Sequence, residues 1–135
     1  MIAIDTSAPI AIFRLEPEAD GFLKTIVKAE GRVISALSLL ETPMVMSGGA
    51  FDAAAFEPLD EFLIEAGIEV VPLDAGQAKL AREAFLGFGK GRHKVGLDFG
   101  DCASHALAKS RRAPLLFKGG DFGHTDFMQA HPAAP

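Results

Sequence analysis

The chain has 135 residues, 49% of them hydrophobic and 23% charged, with a net charge of −5. That is one ordinary domain with enough apolar side chain for a core, and its acidity argues against a general nucleic-acid binder. The single cysteine, Cys102, excludes an internal disulfide framework and suits a reducing cytoplasm.

Residues 1–5, Met-Ile-Ala-Ile-Asp, have no basic leader, which predicts no signal peptide. They read as a short buried strand with Asp5 at its carboxyl end. Thr6 or Ser7 caps a first helix with Pro9 in its first turn. Pro17 opens a second helix, with Phe22, Leu23, Ile26 and Val27 at helical spacing, and Gly31 stops it. Residues 32–36 are a second strand. Residues 37–46 look helical, with Ser35 or Ser38 at the start and Glu41 inside, and Pro43 predicts a kink or an early break. Residues 52–66 predict an amphipathic helix with Phe56, Leu59, Phe62 and Leu63 inward, ended by Gly67. A strand over 68–73 follows, then a helix to about Phe88 that Asp74 and Gln77 open as a capping box. "GKGRHKVG" is a basic loop. A helix from about Asp101 to Arg111 and a strand over 114–117 come next, then the polar turn "KGGDFGHTD". The tail from 129 to 135 is expected to fray, leaving one domain over 1–128.

Strands alternating with helices predict an α/β fold, a mostly parallel sheet with helices on both faces. No apolar run approaches the roughly 20 residues of a membrane span. Charge is unevenly spread. Residues 1–86 hold 14 acids against 6 bases, and residues 87–135 hold 4 acids against 7 bases and all four histidines. The last third therefore faces either a polyanion or simply solvent.

Ligands of such folds gather beyond the carboxyl ends of the strands. Asp5, Glu41, Asp101 and Asp121 all fall there. Each alone reads equally as a helix cap, a turn or an exposed acid. Together they would repel, and a cluster needs a compensating cation. Oxygen-only donors suit Mg²⁺ or Mn²⁺. Cys102 and His105 are three apart on a helix, but an acidic helix start does not favour a thiolate nucleophile. No His/Cys spacing suggests zinc, and Gly89-Lys90-Gly91 is too short for a phosphate-binding loop. His105 reads as packing or as a donor behind the acids, while His93 and His124 sit in polar loops.

Asp5-Thr6-Ser7-Ala8 after an apolar strand resembles the opening of PIN-domain proteins. "ISALSLLET", with Glu41, looks like their second motif, and "GRHKVGLDFGDCASHALAKSRRAPLLFKGGDF" like the stretch carrying their third and fourth acids. Within that superfamily the chain is most similar to the VapC toxins of bacterial toxin–antitoxin pairs. The resemblance implies a PIN-like three-layer α/β/α sandwich and a Mg²⁺-dependent endoribonuclease. Asp5, Glu41, Asp101 and Asp121 match the acidic motif positions, with Asp5 and Asp101 most directly tied to the metal. Thr6 or Ser7 adds a hydroxyl, and Asp126 is an outer acid. Asp98 stands where the third motif often has an amide, and Gly120 where many relatives carry a further Asp. The resemblance also implies an RNA substrate, with tRNA one candidate, a VapB-type antitoxin and a homodimer. Lys90, Arg92, Lys94, Arg111, Arg112 and Lys118 are candidates for phosphate contacts. Two rivals remain: a Mg²⁺-dependent receiver-like phosphotransfer domain with Lys118 after its last strand, and a noncatalytic binding module whose acids only cap helices.

Overall fold

The computed structural model describes residues 1–48, 53–89, 97–119 and 129–130. Strand β1 is Ile2–Ile4, followed by helices α1 (Ser7–Phe13) and α2 (Ala19–Lys28). Strand β2 (Arg32–Ser35) leads into α3 (Ala36–Ser47), a short 3-10 turn (Ala53–Ala55) and α4 (Phe56–Glu65). Strand β3 (Glu69–Val71), α5 (Ala75–Phe88), α6 (Phe99–Arg111) and β4 (Leu115–Leu116) complete the described elements. The sheet order is β3-β2-β1-β4 and every pairing is parallel.

Alternation along these strands builds two cores. Ile2 and Ile4 of β1, Ile34 of β2 and Leu116 of β4 pack with Ala8, Ile12, Phe22, Ile26, Leu59 and Leu63. Their neighbours Ala3, Val33, Val71 and Leu115 pack the other way, with Ala84, Leu97, Cys102, Leu107 and Ala108. The strands are apolar on both faces because both faces are covered, so α1, α2 and α4 lie on one side and α5 and α6 on the other. Full burial of side chains such as Phe22 and Ile26 contributes roughly 1.5–3 kcal/mol each. This is the expected three-layer α/β/α sandwich.

Several local expectations shift. Pro43 does not break α3, which runs to Ser47 with Pro43 buried inside it. Packing there offsets the backbone donor that proline lacks. Phe56 is 37% exposed rather than inward, and Val27 is 70% exposed. Leu59 and Leu63 carry the contact of α4, and Phe62 meets Phe13 edge-on at 5.6 Å. Strand β3 is shorter than 68–73, and Pro72, with no N–H, cannot donate to a further ladder bond. The tail expected to fray from residue 129 is attached at its first two residues. Gln129 bridges Leu115, Ala130 N–H donates to Leu115 O at 2.8 Å, and Ala130 is buried.

The strand order reverses beside β1. Strands β2 and β3 extend to one side and β4 lies on the other. The crevice of such a sheet opens at that reversal, and Asp5 is the first residue past β1.

Candidate active site

Asp5 is buried, 3% exposed. Its Oδ2 accepts from Ser7 N–H at 3.0 Å and from Ser7 Oγ at 2.6 Å. Ser7 Oγ in turn accepts from Lys118 N–H at 2.9 Å. The expected cap of α1 is thus displaced by one position. Thr6 precedes the helix but makes no side-chain cap, and Asp5 takes the Ser7 amide instead. Among the described residues Asp5 Oδ1 has no hydrogen-bond partner. The Ser104 hydroxyl lies near enough to stabilise the carboxylate, yet Ser104 Oγ also lacks a formed hydrogen bond. Burial raises the Asp5 pKa above the usual carboxylate range, and the Asp98 charge adds to it.

Helix α3 supplies Glu41. Ser35 opens the helix, its side chain accepting from Leu37 N–H at 3.2 Å. Ser38 and Glu41, three residues apart, share one face. The Thr6 hydroxyl lies 2.7 Å from Ser38 Oγ and also lowers the Glu41 pKa as a hydrogen-bond partner. Burial nevertheless raises that pKa, with the Asp5 and Asp98 charges adding to the shift.

Helix α6 begins at Phe99, two residues earlier than the expected start at Asp101. Asp98 is the N-cap, its Oδ1 accepting from Asp101 N–H at 2.9 Å, and Asp101 Oδ2 accepts from Asp98 N–H at 3.0 Å. Asp98 is exposed and closes the capping box, a structural use of the extra acid. Asp101, in the third helical position, turns inward. Burial pushes its pKa up to about 7, with Asp5 and Asp98 contributing repulsion. Asp5 and Asp101 each commit Oδ2 to local structure and keep Oδ1 outside those bonds.

Asp5, Glu41 and Asp101 are therefore brought together electrostatically at one rim. Among the described residues no three of His, Cys, Asp and Glu close into a ready-made metal cage. The donors still fit a hard divalent cation. They are all oxygens, they repel one another, and the most buried one has an atom unpartnered among the described residues. Asp121 and Asp126, like His93 and His124, lie outside the described residues.

The basic candidates separate. Lys90, Arg92 and Lys94 fall outside the described residues. Arg111 and Arg112 are exposed at the far end of α6, about 15 Å along the axis from Asp101 at 1.5 Å per residue. The Lys118 ammonium is engaged by Glu16 and lies 3.2 Å from Glu18. Cys102 and His105 are both buried. Burial and the nearby acids push the Cys102 thiol up to about 11, the reverse of what a nucleophile needs. Ser38 was expected only at a helix start, and Ser104 and Gly100 were not singled out from the sequence. The first two stand three residues before Glu41 and after Asp101, a spacing that marks a shared helix face.

The PIN domain family model matches residues 2–128, nearly the whole chain. Ribonuclease VapC28 of Mycobacterium tuberculosis is 46% identical over 128 residues, covering 94% of this chain and 96% of the relative. Ribonuclease VapC of Mycolicibacterium smegmatis is 42% identical over 130 residues, covering 96% and 100%. Among solved structures, Mycobacterium tuberculosis VapC20, described as a Sarcin-Ricin loop cleaving toxin, superposes with a TM-score of 0.76 at 18% identity over 98% of this chain and 100% of that one. VapBC2 from Rickettsia felis, bound to a DNA fragment from its promoter, gives 0.72 at 18% identity, covering 96% and 98%. These two structures support the fold, and the sequence relatives carry the assignment further. The chain belongs to the PIN-domain family and, within it, to the VapC ribonucleases. That membership sets aside the receiver-like and noncatalytic readings. No helix among the described residues is long and apolar enough to cross a membrane.

Proposed function

We propose that Asp5, Glu41 and Asp101, with Asp121, form the cleavage site of a Mg²⁺-dependent endoribonuclease toxin, with Mn²⁺ as an alternative ion. The observation that carries this reading is the buried Asp5 Oδ1, unpartnered among the described residues, beside two further carboxylates whose pKa values are raised. Asp5 and Asp101 would hold the cation through their Oδ1 atoms. When bound, it makes water more acidic and offsets charge on the scissile phosphate. Ser7 fixes the Asp5 rotamer, and the capping box fixes that of Asp101. Glu41, held by Thr6, orients water at the rim and accepts its proton.

Lys90, Arg92 and Lys94 remain the proposed phosphate contacts. Arg111 and Arg112 would meet only a distal part of a long RNA. tRNA is one RNA to test. The working compartment in this reading is the cytoplasm, where a buried free thiol stays reduced.

The natural inhibitor in this reading is a VapB-type antitoxin that covers the rim and places an Arg or Lys among the carboxylates. A groove of about 480 Å³ lined by Leu37, Leu40, Met44, Val45 and Phe99 runs up to Glu41 and offers the adjoining apolar seat. A homodimer belongs to the same reading, and light scattering checks it. The decisive experiment is controlled expression in cells with mapping of RNA ends, beside cleavage by pure protein with Mg²⁺ or with EDTA. Discrete cuts that need the metal are expected. Full activity in EDTA would overturn the metal reading.

A further inference from the structure

Gly100 lies buried at the second position of α6, between the exposed Phe99 and the inward Asp101. Glycine weakens a helix relative to alanine, and the backbone here is not in the left-handed region that would call for it. The reason lies across the rim. A β-carbon on Gly100 would overlap both carboxyl oxygens and the Cδ of Glu41. The Glu41 carboxyl therefore rests directly on the first turn of α6, where the helix N-terminus favours negative charge.

We propose that Gly100 is a positioning residue, whose missing side chain lets the Glu41 carboxylate reach the acid rim beside Asp101. This rests on the proposed cleavage site for its consequence in activity, though not for its geometry. The obstructed group is the far end of a flexible side chain. A methyl at position 100 is thus accommodated by swinging Glu41 outward, with the packing of α6 on the sheet retained. The helix itself gains from the added methyl. Loss of function with retained stability is the signature, and it is the opposite of what a substitution in a packed core produces.

The test is a double-mutant cycle on the full chain with Gly100→Ala, Glu41→Ala and both together. Three quantities are read: melting of metal-free protein, Mn²⁺ affinity by calorimetry, and RNA cleavage. Gly100→Ala alone should melt within a few degrees of the parent. It should lower Mn²⁺ affinity and cleavage by about tenfold or more, the range for residues that orient ligands. In the Glu41→Ala background the same change should raise the melting temperature by more than it does alone, and cost less than twofold in affinity and cleavage. If the single variant fails to fold, the double variant, in which the space is vacated, must fold. Equal losses in both backgrounds, unchanged affinity and cleavage, or failure of both variants to fold would overturn the assignment. If Glu41→Ala instead proves fully active while the melting temperatures stay coupled, the cleavage-site reading fails and the contact between Gly100 and Glu41 stands.

Discussion

The two ends of α6 carry opposite charges. Asp98 and Asp101 stand in the first turn, and Lys109, Arg111 and Arg112 stand at the last. Both distributions suit the helix dipole equally well. They differ in what surrounds the charge. Arg111 and Arg112 are exposed, while Asp101 is half-buried, and burial with repulsion from Asp5 and Asp98 pushes its pKa up to about 7. Even within the first turn the contrast holds, since Asp98 faces solvent and Asp101 faces the rim. Residue type and helix position therefore mark a cap, whereas desolvation among like charges marks a site.

Substitutions that keep shape and remove charge sharpen this contrast most. Asp5→Asn and Asp101→Asn should each lower RNA cleavage by ~10²-fold or more, as for loss of a group that stabilises developing charge. Without metal, Asp101→Asn should melt higher than the parent, because it relieves repulsion. Mg²⁺ should raise the melting temperature of the parent and do little for the variant. An active Asp101→Asn protein would reduce Asp101 to a member of the capping box.

A pH series of metal-free melting curves comes next in size. Asp5, Glu41 and Asp101 all have folded pKa values above their unfolded values. The folded state then binds more protons than the unfolded state, so stability falls as pH rises. For Asp101 the loss spans the window from its ordinary value of 3.8 to about 7. A decline of several degrees is expected across that window, at roughly 3–5 °C per kcal/mol for a chain of this size. Mg²⁺ should shrink the decline at the upper end, where the carboxylates are charged. A melting temperature that climbs over this window would show that the acids are not desolvated together.

The cap gives a smaller effect. Asp98→Ala should cost about 1 kcal/mol, while Asp98→Asn should be nearly neutral because asparagine caps as well. Thermal melts measure both, and Asp98→Asn should keep its cleavage. Loss of cleavage in that variant with normal stability would move Asp98 into the site. The far end of the helix should respond least. Arg112 caps α6 with φ 51° and ψ 40°, a left-handed conformation that glycine adopts at less cost. Arg112→Gly should therefore stabilise by about 0.5–1 kcal/mol, and Arg111→Ala should stay within about 0.5 kcal/mol. Destabilisation by Arg112→Gly would mean that its side chain makes contacts worth more than the backbone strain.

The layered α/β fold was legible because strands β1 and β4 are apolar on both faces and α2 and α4 show helical spacing of apolar residues. Asp5 and Glu41 were legible because each follows a strand. The start of α6 was not. Asp-Phe-Gly-Asp places a capping residue at both ends of one box, and sequence alone does not say which acid is the cap. Pro43 misled because the cost of a proline inside a helix is set against packing that only tertiary structure reveals. Ser104 and Gly100 were hidden for a related reason. A small residue in an Ala-rich helix announces close packing, and only the position of Glu41 shows what approaches it.

The Ser7 hydroxyl links Asp5 to the backbone of Lys118, partners 111 residues apart in sequence. Strand β1, the first of the described strands, is flanked on one side by β4, the last of them. During translation the earliest acid therefore emerges long before the strand and hydrogen bond that lock it in place. Pairing over such a span is closed late, once intervening segments have formed. A nascent chain still short of β4 lacks the Lys118 amide that holds the Ser7 hydroxyl, so this hydrogen bond closes only after β4 has been made.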